Sequence, residues 1–269
     1  MKKVVPRSFG RLVGALLLFL AGASVQANQS PATMTKQKAP NSGRTIRLKA
    51  FVAKYDLSHL WTTTNSSEIF GFIGAGYQRL QIHYLSVRKD RNDPAVYFVE
   101  GKSLVRNRVR VFKGTIVVES AVEFPARDDC EADIKGLTEG VISGRYLFKE
   151  NPKQDAAGVF KGKLTTDFYT DKHGVIHYDD ILSCSDRYSN NEFVGAWKSY
   201  RGTVAEKCNW GDYRAPRSGD LDVGAGEFAP NTKYKKNGWQ TWEAEYEQME
   251  REGEKTGYES MPKDKAWWK

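Results

Sequence analysis

The chain has 269 residues, three of them cysteine, with 41 Lys and Arg against 33 Asp and Glu, a formal net charge of +8. The charge is unevenly spread: residues 1–27 supply +4 and residues 28–54 supply +6, which leaves −2 for residues 55–269. Nucleic-acid recognition wants basic residues clustered on a folded face; Arg106, Arg108, Arg110 and Lys113 read as one solvated strand face, so a nucleic-acid partner is not expected.

Residues 1–27 have the pattern of a cleavable secretory signal peptide. Lys2, Lys3, Arg7 and Arg11 precede an apolar run from Leu12 to Val25, and Val25-Gln26-Ala27 places small residues at −3 and −1 of a cleavage site after Ala27. The run is short for a membrane span, which needs ~20 apolar residues. The expected location is the periplasm or beyond, with no membrane anchor after cleavage. In such an oxidising compartment two of Cys130, Cys184 and Cys208 are expected to pair. Spacing leaves the choice open, and Cys184–Cys208 is favoured because both border one aromatic segment.

Residues 28–43 are polar, contain two prolines and show no periodicity, and read as a flexible linker. From Arg44 the pattern alternates. Residues 44–54 alternate basic and apolar side chains, and residues 77–88 place Leu80, Ile82 and Tyr84 on one face. Further strands are expected over Ala95–Val105 and Arg108–Phe124, the second with a break at Gly114, joined by a tight turn at Arg106-Asn107. After a loop-like, acidic stretch over 125–140, strands resume at Val141–Glu150, Gly158–Thr170, Val175–Cys184 and Phe193–Thr203. Asp171-Lys172-His173-Gly174 suits a short hairpin loop, with Gly174 able to take φ > 0. Eight or more strands at short spacing predict a mainly β fold, an antiparallel β-barrel or sandwich. The β-domain spans residues 44–204.

Residues 205–269 are read as a long aromatic loop plus one helix packed on that domain. Trp239, Trp242, Tyr246 and Met249 fall on one helical face, with Asn237 as cap and Gly253 as stop. Residues 207–239 are rich in Gly and Pro and carry Trp210, Tyr213, Phe228, Tyr234 and Trp239. Long structured loops tend to carry function. Asp220, Asp222 and Glu227 sit around Gly224 and Gly226, a weak pattern for a hard cation such as Ca²⁺. No His-x-x-x-His, nucleophile elbow or phosphate loop is present, and no cofactor is expected.

Asn191-Glu192-Phe193-Val194-Gly195-Ala196-Trp197 resembles the Gly-x-Trp signature of the lipocalins and their calycin relatives. In that family the Gly lets the first strand bend and the Trp closes one end of the barrel beneath the ligand cavity. Here the motif follows several strands. The resemblance implies a lipocalin-like barrel with Trp197 at its floor; in size and composition the chain is also similar to exported β-rich bacterial proteins. The expected function is non-enzymatic binding of an apolar or amphipathic small molecule, or of an envelope glycan. The expected ligand-binding residues are Trp197, Tyr200, Trp210, Tyr213, Arg214 and Trp239. Two other readings are a hydrolase of envelope polymers using Asp220, Asp222 and Glu227, and a protein-interaction module or inhibitor.

Overall fold

The computed structural model describes residues 43–127, 133–240, 242, 244, 251 and 267–269. Residues 1–42, Cys130, Tyr246, Met249 and Gly253 therefore lie outside the described residues. Among the described residues ten strands form one antiparallel sheet: β1 (Arg44–Thr45), β2 (Ile69–Ile73), β3 (Gln78–Lys89), β4 (Val96–Val105), β5 (Arg108–Pro125), β6 (Thr138–Glu150), β7 (Gly158–Thr170), β8 (Ile176–Tyr178), β9 (Asn190–Ser199) and β10 (Ala205–Asp212). The hydrogen-bonded order is β1-β5-β4-β3-β2-β10-β9-β7-β6, and β6 pairs back onto β5. Eight strands thus close a ring with no free edge, while β1 and β8 pair with β5 and β7 outside that path.

The alternating segments of the sequence become β3 to β7 close to their expected limits. The tight turn at Arg106-Asn107 and the left-handed Gly174 (φ 76°) are as expected. Strand β5 is not broken at Gly114: it runs on for 18 residues. A side chain there would put Cβ 1.9 Å from the Leu147 carbonyl, so Gly114 marks a close approach of β6.

Three segments differ from the sequence expectation. Leu48–Lys54 is the helix α1, not a strand continuing from β1. Its Phe51 and Val52 are buried, and Lys89 donates to the carbonyl oxygens of Val52 and Tyr55 at its C-terminal end, where a cation is favoured. Strand β8 is only three residues, and Asp179 to Cys184 are turn and irregular backbone instead of strand. Ala205–Asp212, read as the start of the aromatic loop, is β10, the strand that joins β9 to β2 and completes the ring.

One end of the ring carries the β2–β3, β4–β5, β6–β7 and β9–β10 turns; we call it the upper end. The lower end is covered by α1 and a 3₁₀ turn, Ser58–Trp61. Phe51 packs on Phe168 and Trp61 on Tyr97, with centroids 5.5 and 5.0 Å apart. A second apolar cluster, Phe72, Ala215, Leu221, Phe228 and Trp239, lies outside the ring against β2. Helical backbone resumes at Trp239, with Trp242 packed against that cluster. Asn237 does not act as the expected helix cap: it ends a 3₁₀ turn, Thr232–Asn237, and its Nδ2 donates to Gly76 O at 2.5 Å.

The expected Cys184–Cys208 disulfide is not formed. Cys208 is a free, fully buried thiol facing into the ring from β10, whereas Cys184 is exposed in the β8–β9 connection at the lower end. Burial pushes the Cys208 thiol well above the ordinary range.

Candidate functional site

Of the residues expected to bind ligand, two meet at the upper end. Trp197 Nε1 donates to Glu150 Oε2 at 3.1 Å, and the Tyr200 hydroxyl donates to the Glu150 carbonyl at 2.9 Å. Glu150 is buried and also accepts from Ser103 Oγ and from the Gly158 N–H, both at 2.8 Å. Gly195 of the Gly-x-Trp motif packs backbone to backbone on Gly162, and an added Cβ would lie 2.7 Å from the Tyr146 hydroxyl. The motif thus serves packing: it makes room for Tyr146 and carries Trp197 onto the carboxylate that closes this end.

Trp210 lies elsewhere, in the ring interior, 1% exposed. It stacks on Phe193 at 4.9 Å and meets Tyr146 at 5.1 Å and Phe160 at 5.9 Å. Phe112 and Phe148 stack beside them at 5.0 Å. Trp210 Nε1 donates to the Tyr84 hydroxyl at 3.1 Å. Seven aromatic side chains, Tyr84 among them, therefore occupy the middle of the ring as a packed core.

Tyr213 and Arg214 follow β10. Tyr213 takes φ 62°, sends its N–H to Glu68 O at 2.7 Å and packs on Tyr188 at 5.1 Å. Arg214 is 8% exposed and pairs with Asp222, while its Nη2 donates to the carbonyl oxygens of Gly224, Gly226 and Glu227. Asp222 Oδ1 accepts from the N–H groups of Gly224 and Ala229 at 3.1 and 3.2 Å. Asp220 accepts from Lys233 and, at 2.7 Å, from Tyr234; chiefly the Lys233 ammonium holds its carboxyl below the usual range. Asp220 and Asp222 thus fold the loop onto its own amides and cations. No group of three His, Cys, Asp or Glu side chains suited to a metal ion occurs among the described residues. Trp239 is fully buried in the outer cluster and donates to Tyr77 O at 2.8 Å. The six expected residues are therefore spread over the upper end, the interior and the outer loop.

An open groove of about 380 Å³ lies outside the ring, between the start of β3, the tip of the β4–β5 hairpin and residues 236–240. Gln78, Gln81, Asn107 and Asn237 give it amides, and Arg106 and Lys236 give it positive charge. Arg79 lies over the Trp239 ring at 5.9 Å and forms its buried wall. Two residues beyond Gln81 on the same face, His83 stacks on Trp268 at 4.0 Å and shares a 2.5 Å hydrogen bond with Ser66. Burial, and then the Lys102 ammonium, push the His83 pKa down. Lys102 donates to the Trp268 carbonyl. The groove joins residues far apart in sequence; its one sequence sign is an Arg in a tight turn, where Asn or Gly is usual.

The lower end holds a buried polar network that composition did not reveal. Asp212 Oδ2 accepts from Thr64 Oγ1 and Asn191 Nδ2, each at 2.7 Å, and from the Tyr178 hydroxyl at 3.0 Å. Asn191 Oδ1 accepts from Thr166, whose hydroxyl accepts from Trp61 Nε1. Burial pushes Asp212 up to about 7. Burial also raises Asp167 to about 7 and Asp179 to about 6, with neighbouring carboxylates adding to both shifts. Nearby, His177 Nε2 meets Asp171 Oδ2 at 3.1 Å.

Comparison with known proteins gives no matching family model, no similar curated protein and no similar solved structure.

Proposed function

We propose that the protein is an exported, non-enzymatic binding protein for a cell-envelope glycan, which it takes on the outside of the ring. One observation carries this reading: packed aromatic side chains fill the ring interior, while the outer groove presents amide and cationic side chains around about 380 Å³ of open space. Binding sites of small ligands are concave and of ~300–1,000 Å³, with a few placed polar groups. Amides suit the alternating donors and acceptors of sugar hydroxyls. An apolar or amphipathic small molecule would have to displace packed rings.

Export is supported by the charged, apolar and small-residue order of residues 1–27. A lipocalin-like barrel is supported by the closed ring and by Trp197 at one end of it. Against hydrolysis stand the engagements of Asp220 and Asp222 with Lys233, Tyr234, Arg214 and loop amides.

Calorimetric titration of the mature protein with envelope glycan fragments and with lipids tests the reading. A saturable response to at least one glycan is expected. Saturation by lipids alone, with every glycan silent, would overturn it.

A further inference from the structure

The β4–β5 connection has two residues, Arg106 and Asn107, with φ of 48° and 63°. Both are left-handed, as a type I′ turn requires. Asn tolerates that region; an arginine is held there against its backbone preference. The side chain is fixed as well. Arg106 Nε donates to Gln78 Oε1 at 2.9 Å, and Gln78 Nε2 donates in turn to Asn237 O at 2.7 Å. The guanidinium is thereby tied to both walls of the groove.

The two Nη groups of Arg106 have no partner among the described residues, and neither has the Lys236 ammonium; both residues are exposed at the groove. No carboxylate is among the described residues that line it. A planar fork with two open donors matches a carboxylate or phosphate, and a neighbouring ammonium adds a second charge-assisted contact. Because Nε is already engaged, little side-chain freedom is lost when an anion arrives.

We infer that this groove binds an acidic sugar, its carboxylate or phosphate held by Arg106 and Lys236 and its hydroxyls by the amides of Gln81 and Asn107. The inference rests on the outer groove being the glycan face, and adds the chemical class of the ligand.

The test is calorimetry on the mature protein with trigalacturonate, the neutral galactotriose, glucose 6-phosphate and a short single-stranded oligonucleotide, each at low and high salt. Trigalacturonate or glucose 6-phosphate is expected to bind at least about tenfold more tightly than galactotriose, and to weaken as salt screens the contact. Whichever acid binds identifies the acid group. The variant Arg106→Gly suits the left-handed turn, so its melting temperature should equal or exceed that of the wild type while acid affinity falls by about tenfold or more. Lys236→Ala should lower the same affinity with the fold unchanged.

Equal affinity for galactotriose and trigalacturonate would overturn the acid class and leave the glycan reading standing. Silence from every saccharide would overturn both. Full affinity in a folded R106G would place the site elsewhere. An oligonucleotide that binds as tightly as the sugars would reduce the groove to general polyanion attraction and overturn the assignment.

Discussion

Strands β3 and β4 show two faces of opposite chemistry. Inward, Leu80, Ile82, Tyr97 and Val99 join the core, and Tyr84 takes the Trp210 N–H. Outward, Gln81, His83, Lys102 and Leu104 stand against solvent, the groove and the C-terminal tryptophans. The inner face spends its side chains on one another, and its burial supports the fold. The outer face turns the Gln81 amide to the groove, while Ser66 and Trp268 engage His83 and Lys102. A closed ring does not by itself imply an internal ligand; what matters is which face retains unused hydrogen-bonding capacity.

The largest expected effect breaks the inner face. Trp210→Ala should cost about 3–5 kcal/mol, read from the urea midpoint, because it removes the ring on which Phe193 stacks. A neutral result would mean that the interior is loosely packed and has room for a ligand. Glu150→Ala should cost about 2–3 kcal/mol, since it strands the Ser103 hydroxyl, the Gly158 N–H and the Trp197 indole. Its groove affinity should equal that of the wild type, which separates the Glu150 cluster from the outer groove.

A smaller effect follows from the lower end. Asp212, Asp167 and Asp179 hold their protons to about pH 7, 7 and 6 in the folded chain, whereas unfolded aspartates ionise near the ordinary value of 3.8. Between those limits the folded state binds more protons, so stability is greatest below the unfolded value and falls as pH rises toward 7. A progressive loss of stability between pH 4.5 and 7.5 is expected from chemical denaturation. Asp212→Asn keeps an acceptor for Thr64 and Tyr178 and should flatten this slope. An unchanged slope would show that Asp212 is ionised in the folded protein throughout.

Much of the ring was legible in the sequence because β3 to β7 have a core face and a face outside the ring, and their side chains alternate accordingly. Strand β2 was not, because both faces are covered: Ile69 and Ile73 point into the ring while Phe70 and Phe72 meet the outer cluster. Without a wet face, alternation vanishes. Strand β10 hid for the same reason, since Asn209 is buried and donates to Pro216 O. Helix α1 was mistaken for a strand because its short apolar side, Leu48, Phe51 and Val52, lies among basic residues that mimic a period of two. Trp210 and Trp239 are conspicuous in sequence because they are large, and for that reason they are buried. Gln78, Arg106 and Lys236 are unremarkable singly, and only the fold brings them together.

The indole N–H signals of Trp210 and Trp239 separate the two faces most directly. Trp210 reports the ring interior, and Trp239, adjacent to Gly238 and Gln240 of the groove, reports the outside. In an NMR titration with trigalacturonate, the Trp239 indole and the backbone amides of residues 78–81, 104–107 and 236–240 should shift, with Trp210 unmoved. A shift of Trp210 with the groove amides silent would contradict the account and place the ligand inside the ring.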